Sequence, residues 1–318
     1  MADVNPRIRE WLDKYNAAVA VWSAKGFELT PEYARDGMAI LTRTMVTEIP
    51  QVPVVIDGKV EGPGPPVPVR VYHPEPDRAL PVLVYLHGGG HMTGSVAVYD
   101  PICRKIALAT RHVVVTVEYR LAPEDPYPAG IADARRVVEG CAELLLRLRL
   151  DFGPGLTLAG DSAGGAMSAT LAHALQDSAK PFVDHLILIY PGLDYTLSQP
   201  SVDELAVGYL LEKEKIRWYF DRYFNRGIDR RDASPLFMPV RRGFPRTLLI
   251  TAGYCPLRDE AFFYGRKLRE GGVAVEHLHL EDMIHAFLNL ENIVPEVCRR
   301  VYAAMGEFLG AKTRLARP

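Results

Sequence analysis

Residues 160–164 place a serine, Ser162, between two glycines in the pattern Gly-Xaa-Ser-Xaa-Gly. The apolar run 156–159 precedes this pattern, and a small-residue helical pattern follows it from Ala166. At a tight strand-to-helix turn a serine hydroxyl is lifted clear of the backbone, and the helix amino terminus favours developing negative charge. The context therefore predicts a nucleophilic serine. The alternative is a glycine-rich turn that only packs a helix against a strand.

A glycine run, residues 88–90, follows His87 and the apolar run 82–86. Glycines allow backbone N–H groups to approach a substrate closely, and two or three such donors can hold the oxyanion of a tetrahedral intermediate. A glycine run alone is usually a loop, but here it is paired with the serine turn. The predicted oxyanion hole consists of Gly88, Gly89, Gly90 and Ala163.

The proton acceptor for such a serine is expected late in the chain, on a loop after a further strand. His277 and His279 lie two residues apart within the strand-like run 274–280 and so share one face. A metal site there would need a third ligand, and none stands at a suitable spacing. His285 follows the strand, and its loop position predicts that it is the general base for Ser162. We expect no metal.

Composition and charge exclude several classes of protein. Of 318 residues 48% are hydrophobic, and 37 basic against 39 acidic residues give a net charge of −2. We therefore expect no nucleic-acid partner. The longest apolar runs fall far short of the ~18 residues that a membrane span needs, which predicts no membrane insertion. No signal-peptide pattern is seen and the four cysteines are scattered, so we expect a cytoplasmic protein with reduced thiols.

Short, continuous apolar runs rich in β-branched residues alternate with longer helical patterns over most of the chain. Such runs are typical of parallel strands covered on both faces, so we predict an α/β fold with a doubly wound sheet. Helical, aromatic-rich segments at 1–45 and 195–232 are expected to form a helical cap over the substrate pocket. Residues 46–194 and 233–318 are then the two parts of the core. The alternative is that the first segment is a helix docked on the body of the protein and the second is ordinary core.

Several motifs together resemble the hormone-sensitive-lipase-like esterases, bacterial family IV of the α/β-hydrolase fold. The motifs are His-Gly-Gly-Gly at 87–90, Gly-Asp-Ser-Ala-Gly-Gly at 160–165, and signatures at 119–124, 190–192, 234–236 and 256–260. The resemblance implies a mostly parallel eight-stranded sheet flanked by helices and a helical cap. It implies a serine carboxylesterase acting on short- to medium-chain acyl esters, without a cofactor. His91 and Tyr190, next to or within these motifs, are candidate substrate-pocket residues.

The chain departs from this family at the third member of the catalytic triad. Family members carry aspartate where this chain has Cys255, and glycines where it has Asp282 and Ala286. The triad carboxylate fixes the imidazole tautomer and stabilises the imidazolium, and its removal from other triads costs roughly 10⁴-fold in turnover. A neutral thiol carries no charge to offset that cation.

Other acids are candidates to replace the missing carboxylate. Asp282 lies three residues before His285, and Asp259 lies about one helical turn after Cys255. Asp282 is alternatively a turn residue that bonds its own backbone. A catalytically weakened, ligand-binding homologue is the alternative to an esterase, and amidase or transacylase activity is a further one. A homodimer through an exposed late sheet edge is compatible with the sequence.

Overall fold

The structure, a computed structural model, describes residues 3–178, 183–225 and 227–310. Within these residues it contains eight strands: β1 (Val54–Val60), β2 (Val67–His73), β3 (Leu80–Leu86), β4 (Val113–Val117), β5 (Phe152–Asp161), β6 (His185–Ile189), β7 (Arg246–Tyr254) and β8 (Val275–Ile284). The same residues form ten α-helices: α1 (Pro6–Ala24), α2 (Pro31–Met45), α3 (Val96–Thr110), α4 (Ala129–Arg147), α5 (Ala163–Leu175), α6 (Pro200–Glu204), α7 (Lys213–Tyr223), α8 (Arg230–Ala233), α9 (Arg258–Glu270) and α10 (Pro295–Phe308).

The eight strands form one sheet in the order β1-β2-β4-β3-β5-β6-β7-β8. β2 runs antiparallel to both of its neighbours, and every pair from β4 to β8 is parallel. The carboxyl ends of the parallel strands therefore meet at one edge, where ligands bind in open α/β sheets. This topology confirms the predicted mostly parallel, eight-stranded α/β fold.

Both faces of the sheet are covered, which explains the continuous apolar strands. On one face Tyr85 belongs to a buried cluster that includes Ile106 of α3 and residues of α10. On the other face Val84 belongs to a second cluster with Val137 of α4 and residues of α5 and α9. Adjacent residues of β3 thus enter different cores, because side chains alternate across a strand.

The first helix begins as its sequence predicts. The side chain of Asn5 accepts a hydrogen bond from the N–H of Arg7 (3.1 Å), and a proline occupies the first helical position. Ile8 and Leu12 are buried in the core, and Asn16 Nδ2 donates to the carbonyl of Gly208 (3.1 Å). The amino-terminal segment therefore contacts the segment around residue 208. The boundaries expected for the cap, 1–45 and 195–232, remain a prediction.

None of the helices in the described ranges combines the length and the apolarity that crossing a bilayer requires. The cysteines at positions 103, 141, 255 and 298 are all buried and free.

Candidate active site

Ser162 lies at the sharp turn between β5 and α5. Its backbone has φ 51° and ψ −117°, a conformation that L-residues adopt only under strain. A Cβ on Gly164 would lie 1.9 Å from the carbonyl oxygen of Leu86, so the close approach of helix to strand requires glycine there. The strand–turn–helix context expected for a nucleophilic serine is therefore present.

His285 follows β8, and its Nε2 lies 2.9 Å from the hydroxyl oxygen of Ser162. The ring of Tyr190 packs against the imidazole, with ring centres 4.8 Å apart. Burial, and secondarily the charge of Lys215, lowers the pKa of His285 to about 3. The imidazole is therefore neutral near pH 7 and can accept a proton from Ser162.

The second ring nitrogen of His285 contacts the residue at the family's acid position. Nδ1 lies 3.1 Å from the sulfur of Cys255, which is buried. Burial raises the pKa of the Cys255 thiol, so the sulfur is neutral near pH 7. A carboxylate only accepts hydrogen bonds, whereas a thiol both donates and accepts weakly. This contact therefore does not fix the imidazole tautomer as a carboxylate does.

Neither expected substitute acid reaches the imidazole, since its two nitrogens contact Ser162 and Cys255. Asp282 instead accepts a hydrogen bond from Asn5 Nδ2 (3.1 Å), and its carbonyl accepts one from the Asn5 N–H (3.0 Å). Asp259 accepts hydrogen bonds from the N–H of Ser201 (3.0 Å) and from Arg258 (2.8 Å). The expectation that one of them touches His285 is corrected: Asp282 lies within β8 and bonds Asn5, and Asp259 bonds Ser201 and Arg258.

The glycine run places Gly89 and Gly90 beside Ser162 and Ala163 in the lining of one cavity. Both glycines have positive φ, 124° and 61° respectively. Gly88 differs, because its N–H donates to the side chain of Asp161 (2.8 Å) and is not free for a substrate. The expectation that Gly88 is an oxyanion donor is therefore corrected, and the candidate donors are Gly89, Gly90 and Ala163.

Asp161 is a functional residue that the sequence reasoning missed. Its buried carboxylate accepts hydrogen bonds from the hydroxyls of Tyr85 (2.9 Å) and Tyr99 (2.9 Å) as well as from the N–H of Gly88. Burial raises its pKa to about 6, opposed by these donors. An acid at the buried end of an apolar strand, directly before the serine, was the available signal. Asp161 joins the nucleophile turn to the glycine loop.

The cavity above Ser162 has a volume of about 400 Å³ and a mostly apolar lining. Apart from the catalytic loops, its walls come from α1, α2 and α7 and the residues next to them; among these wall residues are Tyr15, Leu29, Met38, Leu41, Leu210, Ile216, Tyr219 and Phe220. Among the described residues no group of three histidines, cysteines or acids is gathered that could hold a metal.

The two expected pocket residues differ in position. His91 lines the cavity and stacks on Tyr223 at 3.8 Å, while its Nε2 lies 3.1 Å from the Tyr195 hydroxyl. Burial lowers the pKa of His91 to about 3, so its ring is neutral. Tyr190 is not part of the cavity lining and packs against His285 instead. The expectation that Tyr190 lines the pocket is therefore corrected.

A family model described as alpha/beta hydrolase fold matches residues 83–289. The chain belongs to the α/β-hydrolase family. It is 35% identical over 265 residues to "Esterase LipI" of Mycobacterium tuberculosis, covering 80% of this chain and 82% of that protein. It is 33% identical over 319 residues to "Carboxylesterase NlhH" of the same species, covering 97% of each.

A solved structure agrees with these relatives. The Ser161Ala mutant of LAE6, "an alpha/beta hydrolase enzyme from the metagenome of Lake Arreo, Spain", has a TM-score of 0.87 at 30% identity and covers 96% of this chain and 99% of its own. The resemblance to hormone-sensitive-lipase-like carboxylesterases is thereby confirmed. This α/β-hydrolase is a carboxylesterase.

Proposed function

We propose that this carboxylesterase works through an acyl-enzyme on Ser162, with His285 as general base and acid. The observation that carries the assignment is the 2.9 Å contact between Ser162 Oγ and His285 Nε2 in a cavity lined by Gly89 and Gly90. A nucleophile within hydrogen-bond reach of a neutral imidazole, beside free backbone donors, is the arrangement that acyl transfer needs.

In the first half of the reaction Ser162 Oγ attacks the ester carbonyl carbon and His285 Nε2 takes the hydroxyl proton. The N–H groups of Gly89, Gly90 and Ala163 stabilise the resulting oxyanion. When the tetrahedral intermediate collapses, the bond between the acyl carbon and the alcohol oxygen breaks, and the imidazolium gives its proton to the leaving alcohol. In the second half, water attacks the acyl carbon while His285 takes its proton. The carboxylic acid is released, and Ser162 regains its proton from the imidazolium.

The imidazolium formed in each half-reaction is less stable here than in a triad with a carboxylate. Cys255 is neutral, and the charge of Lys215 lowers the pKa of His285, so neither group stabilises the new positive charge. We infer that turnover is slower than in a site with a carboxylate. The oxyanion donors and the positioning of the bound ester still contribute to catalysis. The mostly apolar cavity of about 400 Å³ lies at the small end of ligand pockets, which supports short- to medium-chain acyl esters.

The test is hydrolysis of p-nitrophenyl acetate and butyrate by the wild-type chain and by Ser162→Ala. Turnover should fall to the background rate in Ser162→Ala. Ser168→Ala is a matched control, because Ser168 lies in α5, which begins directly after Ser162, and its hydroxyl donates to the carbonyl of Gly164 (2.8 Å). An organophosphate should add one phosphoryl group to the wild type and none to Ser162→Ala.

The substitution at Cys255 favours one alternative, a catalytically weakened homologue that binds a ligand in the same cavity. Its neutral thiol occupies the place where catalysis uses a charged acid. The same assay decides between the two: a small molecule bound in the cavity without serine-dependent ester turnover would support the ligand-binding protein. Turnover that depends on Ser162 rejects it.

We also propose that the enzyme works in the cytoplasm and pairs as a homodimer along β8. The four free, buried cysteines support a reducing compartment. β8 is the last strand of the sheet, and a terminal strand leaves one row of backbone groups available for pairing. Light scattering of the purified chain should give a mass of two chains, and a mass of one chain would contradict the dimer.

A further inference from the structure

Lys215, in the first turn of α7, lines the same cavity as Ser162 and His285. Its side chain is partly buried, and no ion pair or hydrogen bond to it is found among the described residues. Lys213 on the same helix differs, because it is paired with Asp203 and lies outside this cavity. Of these two lysines of α7, Lys213 therefore pairs with a surface acid, whereas Lys215 lies in the lining of the substrate cavity.

The charged surroundings of Lys215 do not neutralise it within the cavity. The charge of Glu212 acts on Lys215 and favours its protonated form, but no ion pair joins the two side chains in the described ranges, and the Glu212 carboxylate accepts the N–H of Gly208 (2.8 Å). Asp161 is the acid in the cavity lining. Its carboxylate accepts hydrogen bonds from Tyr85, Tyr99 and Gly88 and forms no ion pair with Lys215 in the described ranges. Burial lowers the pKa of Lys215, because the mostly apolar lining of the cavity solvates its charge less well than water does. An unpaired ammonium in an apolar cavity is costly unless a ligand pairs with it.

Lys215 also lies within electrostatic reach of the reaction centre, because its charge contributes to the lowered pKa of His285. A positive charge near the base opposes formation of the imidazolium. A negatively charged group bound at Lys215 would cancel that effect while the substrate is present. Pairing with the substrate therefore helps both binding and proton acceptance.

We propose that Lys215 binds a carboxylate of the substrate, so that the enzyme prefers esters that are themselves anionic: monoesters of dicarboxylic acids, or esters of hydroxy acids. This inference rests on the proposed esterase function. The carboxylate lies at the end of the acyl or alcohol chain remote from the reacting carbonyl. The remaining lining, apolar and aromatic, accommodates the methylene groups between the two ends.

The test compares esters matched in length. The p-nitrophenyl monoester of adipic acid and p-nitrophenyl hexanoate both carry six-carbon acyl chains, and the butyrate ester of 6-hydroxyhexanoic acid is matched by hexyl butyrate. For at least one pair the wild type should have a kcat/KM about 10- to 100-fold higher for the anionic ester, the effect expected of a hydrogen bond to a charged group. In Lys215→Met this preference should disappear, while turnover of the neutral esters persists.

Lys213→Met is the control and should keep the wild-type preference, because Lys213 faces the surface acid. Equal kcat/KM within both pairs in the wild type, or a preference that survives in Lys215→Met, would overturn the proposal. Failure of the esterase function is a different result, namely no hydrolysis of p-nitrophenyl hexanoate that depends on Ser162.

Discussion

The sulfur of Cys255 lies 3.1 Å from Nδ1 of His285, in the position where a carboxylate would complete a catalytic triad. Both groups are buried and both are neutral near pH 7, because burial raises the thiol pKa and lowers the imidazole pKa. The geometry of the triad is thus retained without its negative charge. The rate and the pH dependence of the enzyme should reflect this difference.

Replacing Cys255 with aspartate should increase kcat by about 10²- to 10⁴-fold, since the loss of a triad carboxylate costs a similar factor elsewhere. A carboxylate at this point accepts a hydrogen bond from Nδ1–H and stabilises the imidazolium. It should also raise the pKa of His285 from about 3. Activity requires neutral imidazole, so the acidic limb of the kcat/KM–pH profile should move to higher pH in Cys255→Asp.

Cys255→Ser separates charge from size, because a hydroxyl is small and neutral like the thiol. In Cys255→Ser the acidic limb of the kcat/KM–pH profile should stay in place, and kcat should not increase as it does in Cys255→Asp. An unchanged kcat in Cys255→Asp, in a variant that melts like the wild type, would show that another group already performs the acid's task.

Asp282→Asn should keep kcat within about twofold, because the side chain at this position bonds Asn5 and not the imidazole. Asparagine retains an oxygen that accepts from Asn5, so the contact between Asn5 and β8 is kept. The measurement is steady-state hydrolysis of p-nitrophenyl butyrate. A fall of about 100-fold or more would identify Asp282 as the acid that acts on His285.

Asp161→Asn should lower kcat by about 10- to 100-fold, approaching the loss of an oxyanion donor. Tyr85 and Gly88 donate to one carboxylate oxygen and Tyr99 donates to the other. Asparagine keeps one accepting oxygen, but its NH2 group cannot accept, so at least one of the three donors loses its partner. The glycine loop should then move relative to Ser162. The rate of organophosphate labelling of Ser162 should fall less than kcat does. An unaltered kcat would contradict a positioning role for Asp161.

Alanine should be worse tolerated at Gly89 than at Gly90. A Cβ at Gly89 would lie 2.2 Å from the backbone carbonyl of Thr93, which cannot move without displacing the loop. A Cβ at Gly90 would meet the ring of Tyr219 at 2.6 Å, and a side chain can shift. Thermal unfolding and kcat of the two variants provide the comparison. Equal losses would show that the positive φ, shared by both glycines, decides the outcome.

The protein should lose stability as the pH falls below about 6.5, and His173 should be one cause. Burial lowers its folded-state pKa to about 4, so the unfolded chain binds the proton more readily and protonation favours unfolding. This contribution is present above the unfolded pKa and is lost as the pH falls. His173→Asn, which can still donate to the carbonyl of Pro239, should show a shallower decline of Tm between pH 7 and 4.5. An identical decline would exclude His173.

The sequence was sufficient to predict the sheet and the contact between Ser162 and His285, because each depends on a local pattern: continuous apolar runs, a glycine-flanked turn, and a loop after the last strand. Lys215 and Asp161 could not be assigned in this way. Lys215 belongs to a helix whose orientation is decided by distant contacts, and only the fold shows which lysine of α7 faces the cavity. Gly88 was misassigned because its donor is taken by Asp161, 73 positions away.

The two hydrogen bonds between Asn5 and Asp282 join the residue before α1 to the end of β8, three residues before His285. Tyr15 of the same helix forms part of the cavity wall. One helix is therefore anchored next to the proton acceptor and also shapes the space that receives the ester. Substitutions in α1 that alter substrate preference are consequently expected to alter the reaction rate as well.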